Sequence, residues 1–125
     1  MSSNLLTEFP IELLRIKNIS TINLFQNQIA TVPNLTKSDY QVRHIILEEN
    51  RLSQFPNQLS KVKNLQSLDL NHNNISGTAY MSGFPDLENL NISQSIDTVI
   101  LAVIAFPKMY DIAELKAVFF TANAL

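Results

Sequence analysis

Aliphatic residues recur along this chain in one spaced pattern, in which an apolar residue is followed by two more, three and five positions later. Successive copies of the pattern begin at Ile19, Val42, Leu65 and Leu87. The last two apolar residues of a copy, such as Ile22 and Leu24, lie two apart and so share one face of an extended segment. The pattern therefore predicts one short strand per copy, with one buried face.

An asparagine recurs every 23 residues, which is also the distance between the first three copies of the aliphatic pattern. The four positions are Asn4, Asn27, Asn50 and Asn73. A chain that leaves a sheet in a tight turn buries backbone groups, and a side-chain carboxamide offers both a donor and an acceptor to them. We therefore expect these asparagines to form a structural ladder that satisfies the turns, rather than a ligand site.

Together these features resemble the leucine-rich repeat, whose units are 20 to 29 residues long. The resemblance rests on Ile19–Ile29, Val42–Leu52 and Leu65–Ile75 and extends over residues 4–97. It implies an α/β-type solenoid: a curved, right-handed superhelix with a parallel β-sheet on its concave face and irregular or short helical convex segments. Residues 1–125 would form a single domain, in which 98–125 are a degenerate repeat or a C-terminal cap.

The segments that return the chain to the next strand also repeat, as Phe9-Pro10, Val32-Pro33 and Phe55-Pro56. We expect the Phe or Val to enter the core and the proline to stiffen the bend. Aliphatic residues follow in two of the three copies: Leu13 and Ile16, and Leu59 and Val62. The middle copy has Thr36 there, with Leu35 and Tyr40 nearby, so its outer turn is expected to be shifted or more open.

The C-terminal part departs from the pattern after Ile92. An apolar run covers Val99 to Phe106, and we favour a short buried helix that begins near Asp97, with a strand as the alternative. Residues 107–125 are compatible with a strand from Met109, with a repeat from Leu115, or with a helix that follows a capping box at Asp111. We favour a strand at 109–113 followed by a helical or irregular cap.

Catalytic and metal-binding chemistry is poorly supported by the composition. The chain has no cysteine and two glycines, which excludes a thiol nucleophile, a thiolate metal site and a glycine-rich phosphate loop. His44 and His72 are expected five positions apart on neighbouring strands, too far to share a metal ion. We expect no enzyme, no cofactor and no metal. The alternatives are a hydrolase built on Asp69, His72 and a serine, or a polar pair or weak metal site formed by Glu49 and His72.

Charge and hydropathy restrict the partners. A net charge of −2 without a basic cluster argues against nucleic acid, and an apolar run of eight residues is too short to span a membrane. No secretory signal is visible, and without cysteine the disulfide-bonded caps common in extracellular leucine-rich repeat proteins cannot form. The expected location is the cytoplasm.

The outward face of the predicted sheet is the candidate binding surface, because repeat proteins present extended concave surfaces to partners. Apolar Phe25 and Ile46 would be anchors within a polar rim. The full set of candidate residues is Phe25, Arg43, Ile46, Glu48, Glu49, Asp69, Asn71 and His72. The resemblance implies a non-catalytic protein-binding scaffold, as in signalling proteins, here for a protein or peptide with a basic patch. The alternatives are scattered surface apolarity without function, and an assembly role through open solenoid ends.

Overall fold

The computed structural model describes residues 4–36, 40–80, 83–92, 96–102 and 118–120. For Ala79 and for the last two ranges the backbone alone is described. Following the sequence pattern, we number the repeating units as unit 1 (residues 4–18), unit 2 (19–41), unit 3 (42–64), unit 4 (65–86) and unit 5 (from Leu87).

Short strands and two 3-10 helices of five residues each make up most of the regular structure of the described residues. The helices are Ile11–Arg15 and Asn57–Lys61. The strands are β1 (Thr21–Asn23), β2 (His44–Ile46), β3 (Ser67–Asp69), β4 (Ile75–Tyr80), β5 (Asn89–Asn91), β6 (Ile96–Ala102) and β7 (Val118–Phe120).

The first sheet is parallel and contains four strands in the order β1-β2-β3-β5. Its register follows the repeat, since the buried centres of the strands lie side by side: Ile22, Ile45, Leu68 and Leu90. The residues on either side of each centre are less buried, as expected for side chains that alternate between two faces. The predicted parallel strands with one buried face are confirmed.

One hydrophobic cluster lies behind this sheet and contains the predicted strand and return-segment residues. Phe9, Val32 and Phe55 are all buried, and the Phe55 ring packs edge-to-face on Phe84 with a centroid distance of 5.9 Å. The exceptions are Leu13 and Ile19, which are half-buried against the cluster, and Ile16, which is 50% exposed, whereas its equivalent Val62 is buried. Val62 lies between two described units, while Ile16 has a described neighbour on one side only, which accounts for the difference.

Unit 2 lacks the 3-10 helix of its neighbours over the described residues 32–36. The helices of units 1 and 3 follow Pro10 and Pro56 directly and begin at equivalent positions. In unit 2 the core is filled instead by Leu35 and Tyr40, each 5% exposed. This agrees with the altered outer turn that the sequence predicts there.

A second parallel sheet, with the order β4-β6-β7, contains most of the described C-terminal residues. The favoured helix near Asp97 is therefore wrong: Ile96–Ala102 is a strand, the alternative that the sequence left open. An apolar run has no periodicity of its own that separates a helix from a strand, and pairing with β4 decides in favour of the strand.

The prediction for the C-terminal cap is partly testable. Val118–Phe120 is strand β7, so a helical cap is wrong at these residues. A repeat that began at Leu115 would also place a strand at these residues. In the first sheet such a strand would follow β5, whereas β7 pairs with β6 in the second sheet. The strand expected at 109–113 lies outside the described residues.

Candidate functional site

A column of asparagine carboxamides runs beside the first sheet, at the carboxyl ends of its strands. Asn50 donates from Nδ2 to the carbonyl oxygens of Leu24 and Leu47, both at 3.0 Å, and of Glu48 at 3.3 Å. Its Oδ1 accepts the backbone N–H of Ile29 at 3.0 Å. One side chain thus bonds the turn of its own unit and the turn of the preceding unit.

The same arrangement is found one unit later and one unit earlier. Asn73 donates to Leu47 O at 2.9 Å and Leu70 O at 3.0 Å, and accepts from Leu52 N–H at 3.0 Å. Asn27 accepts from Leu6 N–H at 3.3 Å and donates within its own turn. The backbone N–H of Asn4 donates to Gln26 O at 3.0 Å. The asparagines act on backbone groups of the turns, where buried polar groups need partners.

The outward face of the first sheet consists of aligned rows across the four strands. One row is Thr21, His44, Ser67 and Asn89, and the next is Asn23, Ile46, Asp69 and Asn91. Ile46 is half-buried, and so is Phe25, which follows β1 and the buried Leu24. The register places Phe25 diagonally from Ile46 on the neighbouring strand, at the spacing where large side chains reach one another.

Three carboxylates gather at the carboxyl ends of β2 and β3. Burial raises the pKa of Glu48, and the nearby charges of Asp69 and Glu49 raise it further, whereas His72 lowers it. Glu49 accepts a hydrogen bond from Gln26 Nε2 at 2.8 Å, and Asp69 Oδ1 accepts the Asn71 backbone N–H at 3.1 Å. The structure therefore brings Glu48, Glu49, Asp69 and His72 into one group.

Of the two relations that the sequence suggests for the histidines, one is found in the structure and the other is not. His44 pairs with Ser67 in the sheet, so His72 lies five positions further along, as predicted. No hydrogen bond or ion pair joins Glu49 to His72, both of which the structure describes, so the polar pair considered from the sequence is not formed. Arg43 is exposed and precedes β2, so it lies at the opposite end of the strand from the carboxylates.

A second regularity at these ends is visible only in the backbone. Gln26, Glu49 and His72 adopt left-handed conformations with φ of 57°, 59° and 57°, at the same place in three successive units. Such a conformation costs a non-glycine residue about 1 kcal/mol or more. Backbone bonds between units offset this cost, since Gln26 N–H donates to Glu48 O at 3.1 Å and Glu49 N–H to Asn71 O at 2.9 Å. Gln and Glu carry no sequence signal for this conformation, and His is only enriched in it.

Two kinds of feature are absent from the residues that the structure describes. They contain no group of three or more His, Cys, Asp or Glu side chains placed to hold a metal ion. Within the same residues, no helix combines the length and the apolar character needed to cross a bilayer. Comparison with known proteins gives no match to any protein-family model and none to any curated protein sequence.

Proposed function

We propose that this chain is a leucine-rich repeat module without catalytic activity that binds a protein or peptide through the outward, concave face of its first sheet. The observation that carries the proposal is the pair of half-buried apolar residues, Phe25 and Ile46, on a face that is otherwise polar. Apolar anchors surrounded by polar residues are the usual composition of a binding hot spot.

The repeat assignment is supported by the agreement between sequence spacing and sheet register. Each strand of the first sheet pairs in parallel with the equivalent residues of the next unit. The asparagine of one unit bonds the turn of the unit before it, for example Asn50 to Leu24 O. Both features are expected of leucine-rich repeats, in which a unit buries its apolar face only against its neighbours.

The charges favour a partner with a basic contact patch. Glu48, Glu49 and Asp69 lie close enough to raise the pKa of Glu48, so like charges accumulate beside the apolar pair. A partner that carries Lys or Arg next to an apolar residue relieves this repulsion on binding. Its approach is also steered by the field of the cluster.

A catalytic role is disfavoured by the arrangement of the residues that would perform it. Asp69 Oδ1 accepts the Asn71 backbone N–H, and no hydrogen bond connects Asp69 to His72, both of which are described. A hydrolytic triad needs an acid that orients the base. Screening the intact chain against ester, peptide and phosphate substrates tests this directly, and turnover that His72→Ala abolishes would contradict the proposal.

The binding proposal is tested by a pull-down with the intact chain, followed by calorimetry on the partner recovered. We expect Phe25→Ala combined with Ile46→Ser to weaken binding by at least ~2 kcal/mol, about 30-fold in Kd, with little change in melting temperature. The matched control is Leu5→Ala, because Leu5 is an exposed apolar residue of unit 1, away from this face. Unchanged binding in the double variant would contradict the proposal.

The charge contribution is tested separately by kinetics. Glu48→Lys combined with Glu49→Lys is expected to slow association and to reverse its dependence on salt, since both carboxylates lie in the cluster. Glu88→Lys serves as a control, because Glu88 is exposed and precedes β5, at the other end of the strands. Glu88→Lys changes the net charge by half as much, so half the effect of the double variant from this control would show that net charge, rather than the cluster, governs association.

A second candidate function is self-assembly through the end of the stack formed by unit 1. Leu5, Leu6 and Ile16 are 77%, 39% and 50% exposed, and β1 is an edge strand of the first sheet in the described part of the chain. Exposed apolar residues beside an open edge favour association. Light scattering over a range of concentrations distinguishes the two functions: Leu5→Ala is expected to reduce self-association and leave partner binding unchanged.

A further inference from the structure

Strand β1 has one side that no described strand pairs with. Its other side bonds β2, where Leu24 N–H, just beyond the strand, donates to Ile46 O at 2.8 Å. Successive residues of a strand direct their backbone groups to opposite sides, so the N–H and C=O groups of Thr21 and Asn23 point away from β2. Both residues are exposed, whereas the equivalent residues of β2 and β3 are half-buried. Within the described residues, β1 is therefore an open edge.

This edge lacks the features that usually block pairing with another chain. Soluble proteins protect edge strands with charged residues, prolines or bulges. Residues 20–25 contain no charge and no proline, and β1 pairs with β2 in an unbroken register. The charges lie instead on strands that are already paired, as Glu48 after β2 and Asp69 in β3. Nothing in the sequence of β1 opposes the addition of a further strand.

Unit 1 packs on unit 2 without supplying that strand. Its return segment bonds unit 2 where Phe9 N–H donates to Thr31 O at 3.1 Å. Its helix Ile11–Arg15 is equivalent to Asn57–Lys61 of unit 3. The described residues of unit 1 contain no strand of the first sheet. Unit 1 thus has the convex part of a repeat, and we call the place beside β1, where its strand would lie, the open strand position.

Two apolar side chains belong to the two ends of the open strand position. Leu6 follows the turn at the carboxyl end and is 39% exposed. Its equivalents in units 2 to 4 are at most 2% exposed: Ile29, Leu52 and Ile75. Ile16 precedes the amino end and is 50% exposed, whereas its equivalent Val62 is 1% exposed. A strand with an inward apolar pair would cover Leu6 and Ile16 and complete the unit.

We propose that the edge of β1 is a binding site for one extended segment of a partner protein, which joins the first sheet as a strand parallel to β1. The segment has the apolar pattern of the repeat, so that its last two apolar residues face the core beside Ile22 and Leu24. Its backbone continues the register in which β1 pairs with β2. In this type of recognition, main-chain hydrogen bonds provide affinity and alternate side chains provide specificity.

The convex part of unit 1 favours a single segment over a folded copy of this chain. A folded unit brings its own return segment, and the return segment of unit 1, with Ile11–Arg15, already lies behind the open strand position. A copy that stacks on unit 1 therefore leaves this position unfilled. The site shares Leu6 and Ile16 with the self-assembly considered above but needs no second copy, and light scattering of the free chain measures that assembly separately. It does not depend on binding at the outward face.

The proposal is tested by NMR titration of the intact chain with the peptide acetyl-Ile-Ser-Thr-Ile-Asn-Leu-amide, which copies residues 19–24. We expect saturable shifts in the amide resonances of Thr21 and Asn23, whose N–H groups gain acceptors. The same peptide with Ser in place of the second Ile and of Leu is expected to bind at least about tenfold more weakly, because it buries no apolar pair. Shifts that do not saturate, or equal binding of the two peptides, would overturn the proposal.

Two N-methylated peptides test the pairing without any change to the chain. In the register of the sheet, the N–H of the peptide Leu donates to Asn23 O, as Leu24 N–H does to Ile46 O. The N–H of the peptide Asn points away from β1. Methylation of the Leu nitrogen is therefore expected to weaken binding about tenfold, and methylation of the Asn nitrogen by less than about twofold. Equal effects of the two methyl groups would contradict strand addition.

Two pairs of variants locate the binding. Ile16→Asp places a charge at the open strand position and is expected to abolish the saturable shifts, whereas Tyr80→Asp, at an exposed residue of β4, is the matched control. Thr21→Pro removes an N–H that points to the open side and is expected to prevent binding, and Thr21→Val retains it. Undiminished binding by folded Ile16→Asp, or equal binding by the two Thr21 variants, would place the peptide elsewhere.

Discussion

Two series of contacts cross the same units of this molecule and differ in their continuity. The asparagine column bonds each turn to the next without interruption, through Asn27, Asn50 and Asn73. The flanking segments, which follow these asparagines, bond between units 1 and 2 and between units 3 and 4, but between units 2 and 3 only the contact from Arg51 N–H to Ile29 O is formed. Both series satisfy backbone groups, yet only one tolerates the variation of unit 2.

The difference follows from the type of group that makes the contact. A carboxamide on a rotatable side chain supplies its own donor and acceptor, so it can bond a turn whose neighbours vary. Backbone bonds between flanking segments require both main chains to keep their register. In unit 2 the return segment has no helix over residues 32–36, and the backbone contacts end at this point. The continuous column should therefore contribute more to stability than the flanking contacts.

The largest effect is expected for Asn50→Ala. Asn50 is 8% exposed, and its loss leaves Ile29 N–H without its acceptor and takes one of two carboxamide donors from Leu24 O and from Leu47 O. We expect a loss of about 2 to 3 kcal/mol in the free energy of unfolding, measured by urea denaturation. Asn73→Ala is expected to cost about 1 to 2 kcal/mol, because Asn73 is only half-buried. Melting curves identical to that of the native chain would contradict a structural role for the column.

A smaller effect is expected for Asn57→Ala in the flanking segments. The Thr78 carbonyl and the Tyr80 N–H lose their partner, but Tyr80 is 55% exposed, so water can replace the carboxamide there. We expect a loss of about 1 kcal/mol in the free energy of unfolding. A loss as large as that of Asn50→Ala would show that the two series stabilise the chain equally.

The equivalent change in unit 2, Asn34→Ala, provides the matched control. Asn34 is exposed and forms no hydrogen bond within the described residues, so its removal is expected to change stability by less than about 0.5 kcal/mol. Parallel urea titrations of the two variants give the difference directly. A larger loss for Asn34→Ala than for Asn57→Ala would mean that the flanking segments of units 2 and 3 are bonded to each other in solution.

The smallest effect is expected where neighbouring units repel each other, at Glu48 and Asp69. The folded chain raises the pKa of Glu48 above its ordinary value of 4.5, so the folded state binds more protons than the unfolded state between these two values. Stability from this group is therefore present at low pH and is lost as pH rises through the raised pKa.

Glu48→Gln removes this dependence. We expect the variant to melt slightly above the native chain near pH ~7 and to lose that advantage below the ordinary pKa of 4.5. The gain should stay within about 0.5 kcal/mol, because Glu48 is only half-buried and water screens its charge. A stabilisation that is equal at both pH values would point to a cause other than charge.

Much of the first sheet is predictable from spacing alone. Ile22 and Leu24, or Leu68 and Leu70, share a face because a strand alternates its side chains, and all four are buried. The outward position of Ile46 follows from the same alternation. These features depend on local period and on repetition, and both are visible in one sequence.

The remaining features depend on contacts that the sequence does not encode locally. The strand Ile96–Ala102 is decided by its pairing with β4, and the missing contact between Ala30 and Ser53 depends on how two return segments pack. The left-handed backbone of Glu49 is held by a bond to the following unit. Each requires knowledge of the neighbouring unit in three dimensions.

The asparagine column also gives the stack a direction. The turn of unit 2 is completed by Asn50, which belongs to unit 3, and the contacts of Leu47 and Leu52 in unit 3 are completed by Asn73 of unit 4. A unit therefore depends on its successor for a second carboxamide, and removal of a later unit leaves a backbone N–H of the one before it, such as that of Ile29, without its acceptor. Assembly of the native state is accordingly asymmetric: an earlier unit can finish its turn only after the unit that follows it has docked.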